Sequence, residues 1–363
     1  MVSRQLPDRQ GTAPGKALLA LGEGLVAEGH RVAVWSWRPE PPECDLPPWC
    51  TWRPLPPEAA WRTRLRALAW PRSDVLVAEW SPPPGAVPVA DDVPSFGAVA
   101  ASKRSVVTLH HRAGLDHAAL GRRDPGAVQD RRAERRAARR ARVVLAYSPR
   151  AGSTARGRAR FVPIAYPVPE EVVDPVAGPV ALLLADWRWP PNLAALGRLM
   201  LVWPDVRRRV AGAKLLLAGR DLDRVGVGAM AGVEVLGPLA RAEAALSRAA
   251  VVAFPCPDTT GPKVKVLEAL AYGVPVVTTS AGVEGLLLGP LASELVADGR
   301  AFGERLAELL EAPETMAELG ARGRAAVSAS HAPRPAARAR VAALRSALGE
   351  PGLNDPPSPS PNP

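Results

Sequence analysis

The stretch from Phe254 to Leu286 constrains the fold of this chain more than any other. It reads FPCPDTTGPKVKVLEALAYGVPVVTTSAGVEGL. The apolar run Ala249–Phe254 leads into a loop of Pro, Asp, Thr and Gly. KVKVLEALA follows as a helix former whose one acid is Glu268. A second apolar run, Val274–Val277, then ends in Thr278, Thr279, Ser280 and the loop Ala281-Gly282-Val283-Glu284-Gly285. The order is strand, polar loop, helix, strand, polar loop. In an open α/β sheet, ligands bind outside the carboxyl ends of the strands. Both loops occupy such ends, so the stretch reads as one wall of a ligand site.

The start of the chain has the same grammar. Residues 2–6 read as the end of a strand, and Asp8–Gly15 as a loop. Lys16–Gly29 reads as a helix with Leu18, Leu21, Leu25 and Val26 on one face, and Arg31–Trp37 as a strand. Free N–H groups at the loop-to-helix junction, with Gly11, Thr12 and Gly15, could hold a phosphate. The first strand is short, so either the domain accepts a stub or the true start lies upstream.

Residues 38–60 are rich in Pro and Trp and read as a loop. Trp49, Trp52 and Trp61 either line a groove or pack as lids on the sheet. Arg62–Trp70 is helix-like, and Asp74–Ala78 and Val106–Leu109 read as strands, the latter ending in His110-His111. A histidine there can face a cleft, or it is a structural or solvated residue of the loop.

Ala127–Arg142 reads as a strongly basic helix. Arg131, Arg135 and Arg139 form one row, and Arg132, Arg136 and Arg140 another. Only Ala133, Ala137, Ala138 and Ala141 are available for burial. The helix is either a solvated face held to the sheet by its alanines or a patch for anionic lipid. Few aromatics are interleaved, which disfavours nucleic acid. Val143–Tyr147 is a strand. Phe161–Gly178, with four prolines, reads as a linker.

A second series begins at Pro179–Ala185, a strand, followed by the loop Asp186–Asn192. Asn192 can cap the helix Leu193–Trp203. Ala213–Ala218 and Val233–Leu236 read as strands, and Arg241–Ala249 as a helix. After the opening stretch, Gly299–Leu310, Thr315–Ser328 and Arg334–Leu348 read as helices. Gly349–Pro363 is a Pro/Ser/Asn tail that reads as disordered. The expected division is residues 1–165, a linker 166–178, a second domain 179–332, a C-terminal helix 333–348 that crosses back, and a tail 349–363.

A chain of 363 residues suffices for two such domains, and its apolar fraction of 47% provides for a core. The formal charge of +10 favours anionic partners. Cys44, Cys50 and Cys256 form no C-x-x-C pair, which argues against a disulfide framework or a zinc site. No apolar run approaches the roughly 18 residues of a membrane span. The N-terminus lacks the apolar core of a secretory signal. The expectation is a soluble cytoplasmic protein, peripheral to the inner face of the membrane if the arginine helix meets lipid.

Four places resemble the GT-B glycosyltransferases, specifically the retaining family four, or group 1, enzymes. They are Gly11–Trp35 with its AEGHRVAV, VVTLHH with the basic helix and Val143–Ser148, LLLADWRWPPN, and GPKVKVLEALAYGVPVVTTSAGVEGL. The last is the specific one. The resemblance covers roughly residues 1–345. It implies a bacterial-type glycan-building transferase with two facing Rossmann-like domains and an interdomain cleft. The nucleotide-sugar donor would lie in the C-terminal domain and an unidentified acceptor against the N-terminal one. It implies transfer with retention, no metal, and no cofactor beyond the NDP-sugar co-substrate.

The resemblance also assigns roles. Glu268 matches the family acid that grips the donor ribose. The family often carries another acid eight positions earlier, where this chain has Thr260, with Asp258 near but out of register. Cleaving a sugar–diphosphate bond develops negative charge that positioned cations stabilise. Arg188 and Lys263 are the expected diphosphate cations, with Lys265 a weaker candidate because it cannot share a helix face with Lys263. Alternatively these are surface lysines, and Glu268 an exposed helix glutamate. Gly282 and Gly285 would let backbone approach the donor, and Glu284 would accept from a sugar hydroxyl. His110 would approach the transferred sugar or the acceptor. No general base is evident, and in such enzymes the leaving phosphate is thought to take the acceptor proton. Two other classes stay open: a GT-B-like binding subunit without transfer activity, motivated by Thr260, and a basic adaptor for nucleic acid or membrane.

Overall fold

The computed structural model describes residues 1–8, 12–38, 42, 45–54, 82, 84–173, 176, 178–226, 230–239 and 241–349. Among them, twelve strands form two parallel sheets. The first sheet contains β1 (Val2–Ser3), β2 (Val34–Arg38), β3 (Cys50–Pro54), β4 (Val89–Ala90), β5 (Val106–Leu109), β6 (Val143–Ala146) and β7 (Ala159–Phe161). Its strand order is β3-β2-β1-β4-β5-β6-β7. The second contains β8 (Val180–Leu184), β9 (Lys214–Ala218), β10 (Val233–Gly237), β11 (Val251–Phe254) and β12 (Val276–Thr278), in the order β10-β9-β8-β11-β12. Each order reverses direction beside its first strand, at β1/β4 and at β8/β11. Such a reversal opens a crevice at the carboxyl ends of the strands.

The second sheet is covered on both faces, which explains its unbroken apolar runs. Leu182, Leu183, Leu215, Leu217, Val251 and Phe254 are buried. Helix Pro190–Arg209 covers one face and helix Val264–Ala271 the other, with Trp203 and Leu267 among their buried side chains. Pro204 sits inside the first of these helices, so it runs past the expected end at Trp203.

Several sequence expectations are corrected here. The first helix is Ala13–Ala27, entered through Pro14 in its first turn. The Pro-rich segment 38–60 contains an edge strand, β3, which pairs with β2 from Val34↔Cys50 to Arg38↔Pro54. An edge strand tolerates proline because one side of it makes no ladder. A further strand, β4, and the helix Ala113–Ala119 were not expected. Arg241–Ala249 holds only the short helix Glu243–Leu246. The expected helix Arg62–Trp70, the strand Asp74–Ala78 and the tail from residue 350 lie outside the described residues, as do Gly11, Cys44 and Trp61.

The basic helix spans Pro125–Arg140, with Asp124 capping the N–H of Ala127 at 3.1 Å. Ala133, Ala137, Ala138 and Ala141 are buried, whereas Arg132, Arg135, Arg139 and Arg140 are exposed. Glu134 is buried too, and its carboxylate accepts from the N–H of Ala113 at 2.8 Å and from Thr154. The helix is therefore fixed by a buried acid as well as by its alanines.

The last helix, Pro333–Leu348, packs on Ala13–Ala27 of the other domain. Arg334 and Arg338 reach Glu28 at 3.1 and 2.6 Å. Deeper in, Arg340 is 2% exposed and donates to Thr108 Oγ1 at 3.3 Å and to Tyr147 Oη at 2.9 Å. At the turn before this helix, buried His331 donates from Nδ1 to the Ile164 carbonyl at 2.8 Å. Its Nε2 accepts from the N–H of Leu287 at 2.9 Å. Both ring nitrogens are used in the neutral form, and burial holds its pKa below the ordinary value. No helix among the described residues is long and apolar enough to cross a membrane.

Candidate active site

The site lies where the carboxyl ends of the two sheets face each other. At the end of β8, Arg188 is about half exposed and already holds two carboxylates. Its guanidinium meets both oxygens of Asp186, at 3.1 and 2.9 Å, and Asp221 at 3.1 Å. Arg188 holds the Asp186 carboxyl below the usual range. Asn192 does not cap the following helix, which begins at Pro190 after Trp189. Instead it bridges, donating from Nδ2 to the Asp186 carbonyl and accepting at Oδ1 from Lys265, both at 2.6 Å.

Lys263 corrects the sequence expectation most sharply. It precedes the helix Val264–Ala271, and its side chain is folded back into the loop. It is 4% exposed, and its ammonium donates to the carbonyls of Thr259 at 3.2 Å, Thr260 at 3.1 Å and Gly261. All three N–H donors are consumed, so Lys263 braces the loop from inside and offers nothing to a diphosphate at the rim.

Lys265 faces the crevice. Its ammonium lies 4.1 Å from the Phe254 ring centroid and bonds Asn192. Burial pushes its pKa down to about 7, despite the nearby charges of Glu268 and Asp186. Glu268, one turn further, is not an exposed helix glutamate. Its Oε1 accepts from Lys16 Nζ at 2.6 Å and from Tyr166 Oη at 2.7 Å.

Thr260 also meets the opposite domain. Its N–H and its hydroxyl both donate to Asp116 Oδ1, at 2.7 and 2.8 Å. The N–H of Arg112 donates to Thr260 Oγ1 at 2.6 Å. Gly261, at φ +78°, comes so close to the His110 carbonyl that a Cβ there would lie 2.1 Å from it. Only glycine fits both the conformation and the approach.

In the second loop, Glu284 accepts from the Ser148 hydroxyl at 2.6 Å and pairs with Arg150 at 3.2 Å. Arg150 also pairs with Asp258 at 2.6 Å. Gly285, at φ +76°, abuts the Tyr147 carbonyl, 2.3 Å from an added Cβ. Gly282 abuts Thr278 of its own strand. What these two glycines approach here is protein backbone and side chain.

On the N-terminal wall, His110 sits at the end of β5 with Nε2 3.8 Å from Asp91 Oδ1, and its ring is tilted against Tyr147 at 4.9 Å between centroids. Burial alone would lower the His110 pKa, but the carboxylates of Asp91 and Asp92 more than offset it and the net direction is upward. Asp91 is buried, accepts from Ser3 Oγ at 3.1 Å, and is held below its ordinary pKa: burial raises it, and His110, Arg340 and Ser3 outweigh that. Thr12 precedes the first helix without a side-chain cap bond, and Gly15 packs against the Leu6 carbonyl.

The structure thus brings Thr260, Glu268, Glu284 and Gly285 against the N-terminal domain, with Lys265 beside Glu268 and Arg188 outward at the rim. Sequence reasoning missed Lys16, Asp116, Ser148, Arg150 and Tyr166. Lys16 carried a readable signal, one turn into the helix that follows the candidate phosphate loop. The others are set by the domain pairing and have no local signature.

The fold has known counterparts. Sucrose-phosphate synthase from Thermosynechococcus elongatus superposes with a TM-score of 0.68 at 17% identity, covering 96% of this chain and 99% of that one. HepE from Anabaena, in complex with UDP-glucose, gives 0.61 at 15% identity, covering 95% and 100%. WaaG, a glycosyltransferase involved in lipopolysaccharide biosynthesis, gives 0.59 at 13% identity, covering 94% and 98%. No curated protein matches the chain. The architecture, two parallel-sheet α/β domains with facing carboxyl ends, is the GT-B fold. Residues 178–312, which hold the second sheet and its loops, match the family model described as glycosyl transferases, group 1.

Proposed function

We propose that the protein is a retaining glycosyltransferase of family four type that moves a sugar from an NDP-sugar to a glycan, lipid or small-molecule acceptor. The observation that carries this reading is the setting of Glu268. It is a carboxylate at the crevice beside the second sheet, one helical turn after Lys265, with a cation of the facing domain (Lys16) and a phenol of the linker (Tyr166) on one of its oxygens. A carboxylate offers paired acceptors to two adjacent hydroxyls, as on a ribose. Lys265 and Arg188 lie on either side of Asn192 and Asp186. They would face the diphosphate, where cations stabilise the charge of the leaving group. Glu284 would accept from a hydroxyl of the transferred sugar, and His110 would approach the sugar or the acceptor.

In the proposed step the bond from the anomeric carbon to the diphosphate oxygen breaks, and the acceptor oxygen bonds to that carbon on the same face. The acceptor proton passes to the leaving phosphate. These cations serve in place of a metal, so chelator should leave the rate unchanged. HepE was solved with UDP, with UDP-glucose, and with UDP and glucose, which makes uridine donors the first to test. The decisive assay incubates the protein with UDP-, GDP- and dTDP-sugars and follows slow hydrolysis or transfer by NMR. An anomeric configuration equal to the donor's supports retention, and the inverted one contradicts it.

A second reading, a GT-B-like binding subunit without transfer, is favoured by Thr260 where an acid was expected. It predicts saturable donor binding with no turnover in the same NMR assay. The exposed arginines of helix Pro125–Arg140 fit contact with an anionic membrane from the cytoplasmic side. Salt-sensitive binding to phosphatidylglycerol vesicles, lost on changing Arg132, Arg135 and Arg139, would support that placement.

A further inference from the structure

Lys16 stands in an electrostatically unfavourable place unless an anion accompanies it. It belongs to the first turn and a half of helix Ala13–Ala27, its N–H already bonded to the Thr12 carbonyl. The positive end of the helix dipole opposes a cation there. Its ammonium and the Glu268 carboxylate are 2.6 Å apart and only 18% and 13% exposed. Tyr166 Oη donates to the same oxygen of Glu268 at 2.7 Å, and burial together with the charge of Glu268 pushes its pKa well above the ordinary value, so it stays a donor. One helical turn before Glu268 lies Lys265, whose pKa burial pushes down to about 7. Two amines therefore flank one carboxylate. With both protonated the group carries a net positive charge that an anion of more than one charge would neutralise.

We infer that Lys16 is a diphosphate-binding residue contributed by the N-terminal domain, and that Glu268 holds it in reserve while the site is empty. The inference rests on the transferase reading above. When hydroxyls of the donor ribose take Glu268, the ammonium of Lys16 loses part of its counter-charge in a largely buried setting, where an unpaired charge is costly. The diphosphate next to that ribose supplies the replacement. One exchange thereby ties nucleotide recognition in the C-terminal domain to a helix of the N-terminal domain, and the two domains close around the bound donor.

The exchange gives a test by sign. Binding of a nucleoside, its monophosphate and its diphosphate (uridine, guanosine and thymidine series) is measured by calorimetry on wild type, Lys16→Met, Lys16→Arg and Tyr166→Phe. The expected result is that Lys16→Met weakens the diphosphate by about tenfold, the worth of one charge-assisted hydrogen bond, and leaves the nucleoside unchanged. Lys16→Arg keeps most of the diphosphate affinity, which also shows that the position tolerates substitution without loss of fold. Tyr166→Phe removes a bond to Glu268 but no cation, so it shows no diphosphate-specific loss. An unchanged or tighter diphosphate in Lys16→Met overturns the inference, since a lysine that only latches the domains would free Glu268 on removal. If wild type binds none of the diphosphates, the transferase reading falls and this role falls with it. If wild type binds and Lys16→Met matches it, only this role falls.

Discussion

Thr260 donates twice to one oxygen of Asp116, from its N–H at 2.7 Å and its hydroxyl at 2.8 Å, across the gap between the domains. The position where the family resemblance led to the expectation of an acid is here a donor that holds an acid of the opposite wall. Thr260→Val should cost about 2–3 kcal/mol, because it removes the hydroxyl's bond to the Asp116 carboxylate and the acceptor of the Arg112 N–H. Thr260→Glu should cost more, because it sets two carboxylates together, whereas the neutral Thr260→Gln should not carry that repulsion. Urea unfolding of the three variants separates these outcomes. Equal losses in Glu and Gln would show that Asp116 does not face this position in solution.

Lys263→Met should destabilise the protein by about 3 kcal/mol, since it strips the carbonyls of Thr259, Thr260 and Gly261 of a charged donor. Hydrogen exchange should rise first in residues 257–264. A variant with wild-type stability and a selective loss of nucleotide affinity would return Lys263 to the phosphate role that its burial argues against.

Lys265 should make donor binding pH-dependent. Its folded pKa, about 7, lies far below the ordinary value of about 10.4. The unfolded chain therefore binds more protons between these values, and stability rises with pH across that window. A bound diphosphate favours the ammonium, so binding above pH 7 should take up a proton, and affinity should fall as pH rises from 7 to 9. Calorimetry in buffers of different ionisation enthalpy reads the uptake directly. Lys265→Met should abolish it.

The Asp91–His110 contact predicts an opposite slope. The pKa of His110 is raised, so its stabilisation is complete below the ordinary value of about 6.5 and is lost as pH rises through the folded value. Asp91, held low, stabilises above its ordinary value and loses this as pH falls through the folded one. Asp91→Asn should lower the His110 pKa in an NMR titration. No change would mean that the 3.8 Å contact is not formed in solution.

Arg340→Met should cost about 2–3 kcal/mol, because it strips the buried hydroxyls of Tyr147 and Thr108 of a charged donor. Undocking of helix Pro333–Leu348 should follow, seen as faster proteolysis between His331 and Arg338. Arg338→Ala, which removes an exposed pair with Glu28, should cost less than about 1 kcal/mol.

The two-domain fold was legible because parallel strands buried on both faces leave unbroken apolar runs, as in Leu182–Leu184 and Leu215–Leu217. Strand β3 was not, since an edge strand among prolines lacks that signature. Glu268 and Lys265 were singled out from a single stretch of sequence, and they lie one helical turn apart on helix Val264–Ala271. The partners that set their chemistry, Lys16 and Tyr166, lie in other segments and meet them only once the domains pair. Lys263 was misplaced for a related reason: helical spacing shows which face a residue occupies, but not that a long side chain will fold back onto its own loop. The expected burial of Ala133, Ala137, Ala138 and Ala141 followed from their being the small apolar positions on an arginine-rich helix, whereas the buried Glu134 between them carried no such mark.

The central claim is that this crevice binds a nucleotide sugar through Glu268. Equilibrium binding of UDP-, GDP- and dTDP-sugars to wild type and Glu268→Ala tests it most directly. The account predicts saturable binding of at least one nucleotide class, weakened about tenfold or more by Glu268→Ala while the variant keeps its fold by circular dichroism. Wild-type protein that binds none of them, or a Glu268→Ala variant that binds as tightly as wild type, would contradict it.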